Sequence, residues 1–221
     1  MRAALALVVL VLVTACGGAG KQVATTGGQQ LIKKYASAPK SPDEYLNIFQ
    51  KRVDNPNEIS DILKRTESSG FTIPLATTTK TAAQTVLDDF AQQKSGYMIL
   101  VGHNNAGKFR FPDNSFFDLR SVNNPDATLV VISCDSYLYP SDASIGVTGE
   151  LIYEIAYSTQ AKFVERINAG GAPVSRSAAQ DMLNEAFSAA VIERGAKRAV
   201  KLSLGIGVPG SVIGISIRGD R

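Results

Sequence analysis

The sequence predicts an α/β domain built on an open, mostly parallel sheet. Two short apolar runs carry that expectation: Tyr97-Met98-Ile99-Leu100-Val101 and Ala127 to Ser133 (A-T-L-V-V-I-S). Both are rich in β-branched residues, too short for ordinary helices, and end where the chain must turn. Helical patterns alternate with them, as strand–helix–strand units require. The first run leads into Gly102-His103, the second into Cys134, and in an open α/β sheet the carboxyl ends of parallel strands line the crevice where ligands collect.

The amino end reads as targeting rather than fold. Arg2 is followed by an apolar stretch, Ala3 to Val13, then Thr14-Ala15-Cys16. The stretch is too short to span a bilayer and suits a signal peptide. Leu12-Val13-Thr14-Ala15-Cys16 resembles the lipobox of bacterial lipoproteins, which implies cleavage before Cys16 and lipid on its sulfur; the alternative is a secretory signal with an incidental cysteine. Gly17 follows rather than Asp, which in a two-membrane bacterium favours the outer membrane, with the protein facing the periplasm. Residues 17–40, rich in Gly, Thr and Gln at their start, read as a flexible tether, and 41–221 as one domain.

Ser41-Pro42-Asp43-Glu44 is a helix start, with an N-cap serine, proline at the first helical position and Glu44 placed for a capping box. Tyr45, Ile48, Phe49 and Val53 give its apolar face, ending near Asp54. Asn55-Pro56-Asn57-Glu58 starts a second helix with Ile59, Ile62 and Leu63 on one side, and Gly70 stops it. Phe71 to Leu75 is a strand weakened by Pro74. Thr81 to Lys94 is helical, so that strand, this helix and Tyr97–Val101 make one right-handed crossover. Lys108-Phe109-Arg110-Phe111 alternates before Pro112-Asp113-Asn114, which predicts a small hairpin packing its phenylalanines on the core.

After Cys134 comes a loop, Asp135 to Thr148. A helix from about Gly149 to Ile167 follows, ended by Gly170-Gly171, and another from Ser175 or Ser177 to about Glu193. Ala199 to Arg218 is β-branched and Gly-rich around Pro209-Gly210, predicting a C-terminal β-hairpin. Gly205, Gly207 and Gly210 match a dinucleotide fingerprint by spacing, but no helix follows to receive a pyrophosphate.

Composition narrows the function. Net charge is only +3, and the densest basic group, Arg194, Lys197, Arg198 and Lys201, reads as a solvated helix face, so no nucleic-acid partner is expected. With one histidine in the chain and no tight acidic cluster, neither a metal nor a cofactor is expected. If Cys16 carries lipid, Cys134 cannot form an internal disulfide; it is then either a reactive thiol or a buried small hydrophobe.

A thiol and an imidazole at two adjacent strand ends make a nucleophile and its base. His103 would accept the Cys134 proton and later protonate a leaving amine. The backbone N–H groups of Asn104 and Cys134, both at strand ends, are candidates for the oxyanion hole. Asp135 and Asp142 follow the nucleophile and are candidates for a pocket selecting Arg or Lys, or are simply solvated.

Gly102-His103-Asn104 after one strand, and Leu129-Val130-Val131-Ile132-Ser133-Cys134-Asp135-Ser136 on the next, resemble the caspase-like (clan CD) cysteine peptidases, nearest to the bacterial CHAT-type domain. The resemblance covers residues 97–136. It implies a three-layer αβα sandwich, His103 as general base and acid, Cys134 as nucleophile, and endopeptidase activity on a peptide or protein substrate. Asn104 stands where the family commonly has Gly, and Ser133 where it often has Ala. The alternatives are a non-catalytic lipoprotein that keeps the fold as a binding or scaffold module, and an acyl or peptidoglycan-amide hydrolase using the same two residues.

Overall fold

The computed structural model describes residues 32–55, 57–149, 151–171, 173 and 175–203. The expected signal peptide with Cys16, most of the tether and the Gly205–Gly210 segment lie outside them. A four-stranded sheet, all parallel, runs in the order β1 (Ile32–Ala36), β2 (Tyr97–Val101), β6 (Thr128–Ile132), β7 (Ser144–Gly146). Between β2 and β6 the chain forms a three-stranded antiparallel meander: β3 (Asn104–Asn105), β4 (Lys108–Arg110) and β5 (Phe116–Asp118). The expected hairpin is its β4–β5 half.

Successive residues of a strand face opposite sides, and the two central strands are apolar on both. Met98, Leu100, Leu129 and Val131 pack with Phe109, Phe111 and Phe117 of the meander and with Val86 and Phe90. Those two come from α3 (Ala82–Gln92). Tyr97, Ile99, Val101, Val130 and Ile132 pack instead with Phe163 and Ile167 of α4 (Tyr153–Gly170) and with Ala179, Leu183 and Ala186 of α5 (Arg176–Ser203). This α/β layering, with helices on both faces of a parallel sheet, fits a three-layer sandwich. Among the described residues no helix is long and apolar enough to cross a membrane.

Helix starts follow the local chemistry. In α1 (Pro42–Phe49) the Ser41 hydroxyl accepts from the Glu44 N–H at 3.2 Å, while the Glu44 carboxylate reaches one residue further back than a capping box does, to the Lys40 N–H. Thr81 caps α3 through the Gln84 N–H. Two more first-turn donors of α3, Ala82 and Ala83, go to Asp113 and Ser115 at the tip of the meander. Ser175, not Ser177, caps α5 by accepting from Ala178.

Several expectations are corrected. Residues 32–36 of the tether are strand β1. Phe71–Leu75 contributes a single bridge, Thr72 with Tyr35, because Pro74 has no N–H to extend a ladder; the strand beside β2 is therefore β1. Helix α1 ends at Phe49, where Gln50 turns left-handed (φ 57°) and bonds back to Leu46, and α2 spans Asn57–Ser68 with Gly70 beyond it at φ +69°. The expected loop 135–148 contains β7. Helix α5 runs to Ser203, so Ala199–Ser203 are helical and not the start of a hairpin; residues 204–221 lie outside the description.

Both sheet edges are closed. On β7, the Gly146 N–H donates to Gln180 Oε1 (3.0 Å) and the Gly146 carbonyl accepts from Gln180 Nε2 (2.7 Å), so one side-chain amide replaces a neighbouring strand. On β1, Ala36 donates to the Thr72 carbonyl and Thr72 to that of Lys34. Such closure blocks edge-to-edge pairing. Gln180→Ala should cost about 1–2 kcal/mol in urea unfolding from two lost hydrogen bonds. It should also increase concentration-dependent self-association relative to wild type, read by sedimentation velocity.

Candidate active site

The sheet register sets the site. Val101 of β2 pairs with Ile132 of β6, and each chain continues two residues, to His103 and Cys134. Both therefore lie at the carboxyl ends of neighbouring parallel strands, and strands so paired are about 4.8 Å apart. The Asn104 side chain crosses the gap, its amide donating to the Cys134 carbonyl at 2.9 Å. His103 and Cys134 are each partly exposed, while Ser133 and Asn104 are buried.

Gly102 is required by packing. A Cβ there would lie 2.8 Å from the Phe109 ring and 2.8 Å from the Ser37 Cβ. Ser37, just past β1, ties the surrounding backbone together. Its N–H donates to Val101 O (2.8 Å), its hydroxyl to Arg110 O (2.6 Å), and its carbonyl accepts from the Tyr153 hydroxyl (2.7 Å).

Beyond Cys134 the chain turns sharply. Asp135 is left-handed (φ 49°); its N–H donates to the Gly149 carbonyl, and its carboxylate accepts from the Gly149 N–H at 2.8 Å. The Ser136 hydroxyl donates to Val131 O (2.7 Å) and accepts from the Val147 N–H (3.0 Å). A Cβ on Gly146 would come 2.7 Å from the Ser136 backbone, so the returning chain passes with no room to spare. This strapping delivers Leu151 to the sulfur. The Leu151 N–H points at Cys134 Sγ from 3.3 Å, and its carbonyl lies 3.6 Å away as acceptor for the thiol. Loss of the proton removes the second contact and leaves the first, a donor aimed at the charged sulfur.

His103 packs against Phe49, ring centroids 5.2 Å apart, and Phe49 also meets Tyr153 at 5.8 Å. The imidazole thus rests on an aromatic wall that continues from Phe49 to Tyr153. Burial, then Arg110, then Lys51 push the His103 pKa below its ordinary value of 6.5. The ring is thus neutral at neutral pH and able to take a proton. Burial first, then neighbouring phenols, raises Tyr153 far out of range, which keeps its hydroxyl a donor to Ser37.

The remaining expected residues divide. Asn104 is beside Cys134, as an oxyanion-hole pair requires, though its side chain serves as a cross-strand tie. Asp135 is next to the thiol, but its carboxylate is taken up by Gly149. Asp142 is not brought to the site: β7 is parallel to β6, and Ser144 at its start pairs with Leu129. Ser144 is therefore level with a point five residues, about 16 Å at ~3.3 Å per residue, before Cys134, and Asp142 precedes Ser144, toward the other end of the sheet. Sequence reasoning missed Leu151, which acts through backbone groups and leaves no signal in residue type, and Ser37, whose hydroxyl and main chain make ties to distant parts of the sequence. It also missed Arg110 and Lys51; continuing the meander register would have put Arg110 opposite His103. Of the four buried side-chain polar atoms without a hydrogen-bond partner among the described residues, three belong to Asn104, Arg110 and Ser133. Such orphans concentrate where function needs them. Among the described residues no group of three or more His, Cys, Asp or Glu forms a metal-sized cluster. No protein-family model, curated protein or solved structure matches the chain.

The depressed His103 pKa has a fixed sign in stability. The unfolded chain takes up the proton first as pH falls, so the stabilisation is complete above about 6.5 and is lost as pH drops through the lower folded value. Urea unfolding of wild type should therefore weaken on acidification below pH 6.5 more steeply than that of His103→Phe. The single imidazole resonance should titrate with a midpoint below 6.5.

Proposed function

We propose that the chain is a caspase-like cysteine endopeptidase, anchored through lipid on Cys16 to the outer membrane and facing the periplasm. The supporting observation is the placement of a neutral imidazole and a thiol at the ends of two adjacent parallel strands, tied by Asn104. In this reading His103 accepts the Cys134 proton and the thiolate attacks a peptide carbonyl. The developing oxyanion is met by the N–H groups of Asn104 and Cys134. His103 then protonates the departing amine, and water, deprotonated by His103, hydrolyses the thioester and releases the acid. The Leu151 N–H holds the sulfur in place through the cycle.

A non-catalytic binding module is the competing reading. It draws on the same Leu151 backbone, whose two contacts also suit a thiol that never reacts. Rates of iodoacetamide labelling, read on the Cys134 peptide by mass spectrometry, separate the two. The peptidase requires fast labelling that slows in His103→Ala, with hydrolysis of a peptide library falling by about 10²–10⁴-fold. Slow labelling that ignores the substitution supports the module. Turnover of cell-wall fragments but not peptides would assign the same chemistry to a peptidoglycan amide.

A further inference from the structure

The outward face of the meander begins at His103. Asn104 pairs with Phe109 and Asn105 with Lys108; one step back, the Arg110 N–H donates to His103 O (3.1 Å), so these two are opposite. Arg110 pairs in turn with Phe116 on β5. His103, Arg110 and Phe116 thus form one cross-strand row, with Lys108 and Asp118 in the next row on the same face.

The charge on this face is unbalanced. Phe116 is 46% exposed, with Lys108 Nζ 4.8 Å and Arg110 Cζ 5.6 Å from its ring centre. Asp118 is already engaged by Arg120, through Nε at 2.9 Å and a terminal nitrogen at 2.7 Å. Among the described residues no carboxylate forms an ion pair with Arg110, Lys108 or Lys51. The Arg110 Nε–H is buried without a partner. Lys51 is carried to the same rim by the end of α1, where Gln50 accepts from Asn105. A half-buried guanidinium with an orphan donor lacks the acceptor that normally offsets its desolvation.

We infer that this face docks an acidic segment of a peptide ligand, a carboxylate engaging Arg110 and Lys51 while an adjacent apolar or aromatic side chain covers Phe116. The docked segment belongs to the substrate of the proposed peptidase and to that extent rests on that reading, but docking itself needs no chemistry at Cys134. A nucleic acid fits less well, because the one exposed ring on this face, Phe116, offers no stacking series.

Binding is read by fluorescence anisotropy on the full chain in neutral-detergent micelles, carrying Cys134→Ala so that nothing is turned over. The probe is a fluorescein-labelled Ala-Ala-Glu-Ala-Phe-Ala-Ala peptide. It should bind, and the same peptide with Lys in place of Glu should not. Arg110→Gln should weaken binding by at least about tenfold, and Phe116→Ala by about fivefold. Lys51→Glu, at an exposed position, should also weaken it severalfold. Bound peptide should raise the His103 midpoint, since its carboxylate favours imidazolium. Equal affinity for Arg110→Gln and Lys51→Glu, equal binding of the lysine peptide, or tighter binding of a ten-nucleotide oligothymidylate would each overturn the assignment. Cleavage by wild type is scored separately, so loss of docking and loss of peptidase activity are distinguishable.

Discussion

The parallel pairing of β2 with β6, in the register that sets Val101 against Ile132, is the constraint on which the rest of the molecule depends. It puts two chain ends side by side, and everything at the rim is secondary to that. Because both strands are buried on both faces, a slip of one residue would exchange the sets facing the two helical layers, placing Leu100 where Val101 packs. The register is therefore held by the whole core and not by the few bonds at the rim. Those local ties, Asn104 to Cys134 and Ser37 to Val101, align groups that the core has already brought together.

The central strands were legible because burial on both sides leaves a continuous apolar run. The edge strands were not. β1 reads Ile32-Lys33-Lys34-Tyr35-Ala36, and its lysines resemble those of a tether until their partners are known: Lys33 pairs with Asp89, and Lys34 reaches the Ser69 carbonyl. β7 is three residues, and its outer edge is completed by a helix side chain that no local pattern announces. Helix starts were legible from Ser41, Thr81 and Ser175, since capping is local chemistry. The end of α1 was not, because it depends on Gln50 adopting a left-handed backbone without being Gly or Asn. Of the site, His103 and Cys134 stood out by their rarity and their position after apolar runs. Leu151, which meets the sulfur, does so with main-chain atoms that every residue possesses.

The electrostatics of the rim follow from the same topology. The meander leaves β2 immediately after His103 and folds back, so Arg110 returns opposite the imidazole, while α1 ends nearby and brings Lys51. Both cations disfavour protonation of a ring that burial already keeps neutral. Among the described residues no acidic side chain forms an ion pair with Arg110 or Lys51. The resulting imbalance is a property of chain path as much as of composition, for the net charge of the whole chain is only +3.

Ser37 carries a consequence for how the molecule assembles. It directly follows β1, yet its hydroxyl and carbonyl close bonds spanning 73 and 116 positions. Contacts of such long range incur their loop-closure entropy before they contribute stability, and they slow folding. The rim is thus completed only after α4 has been made and has docked.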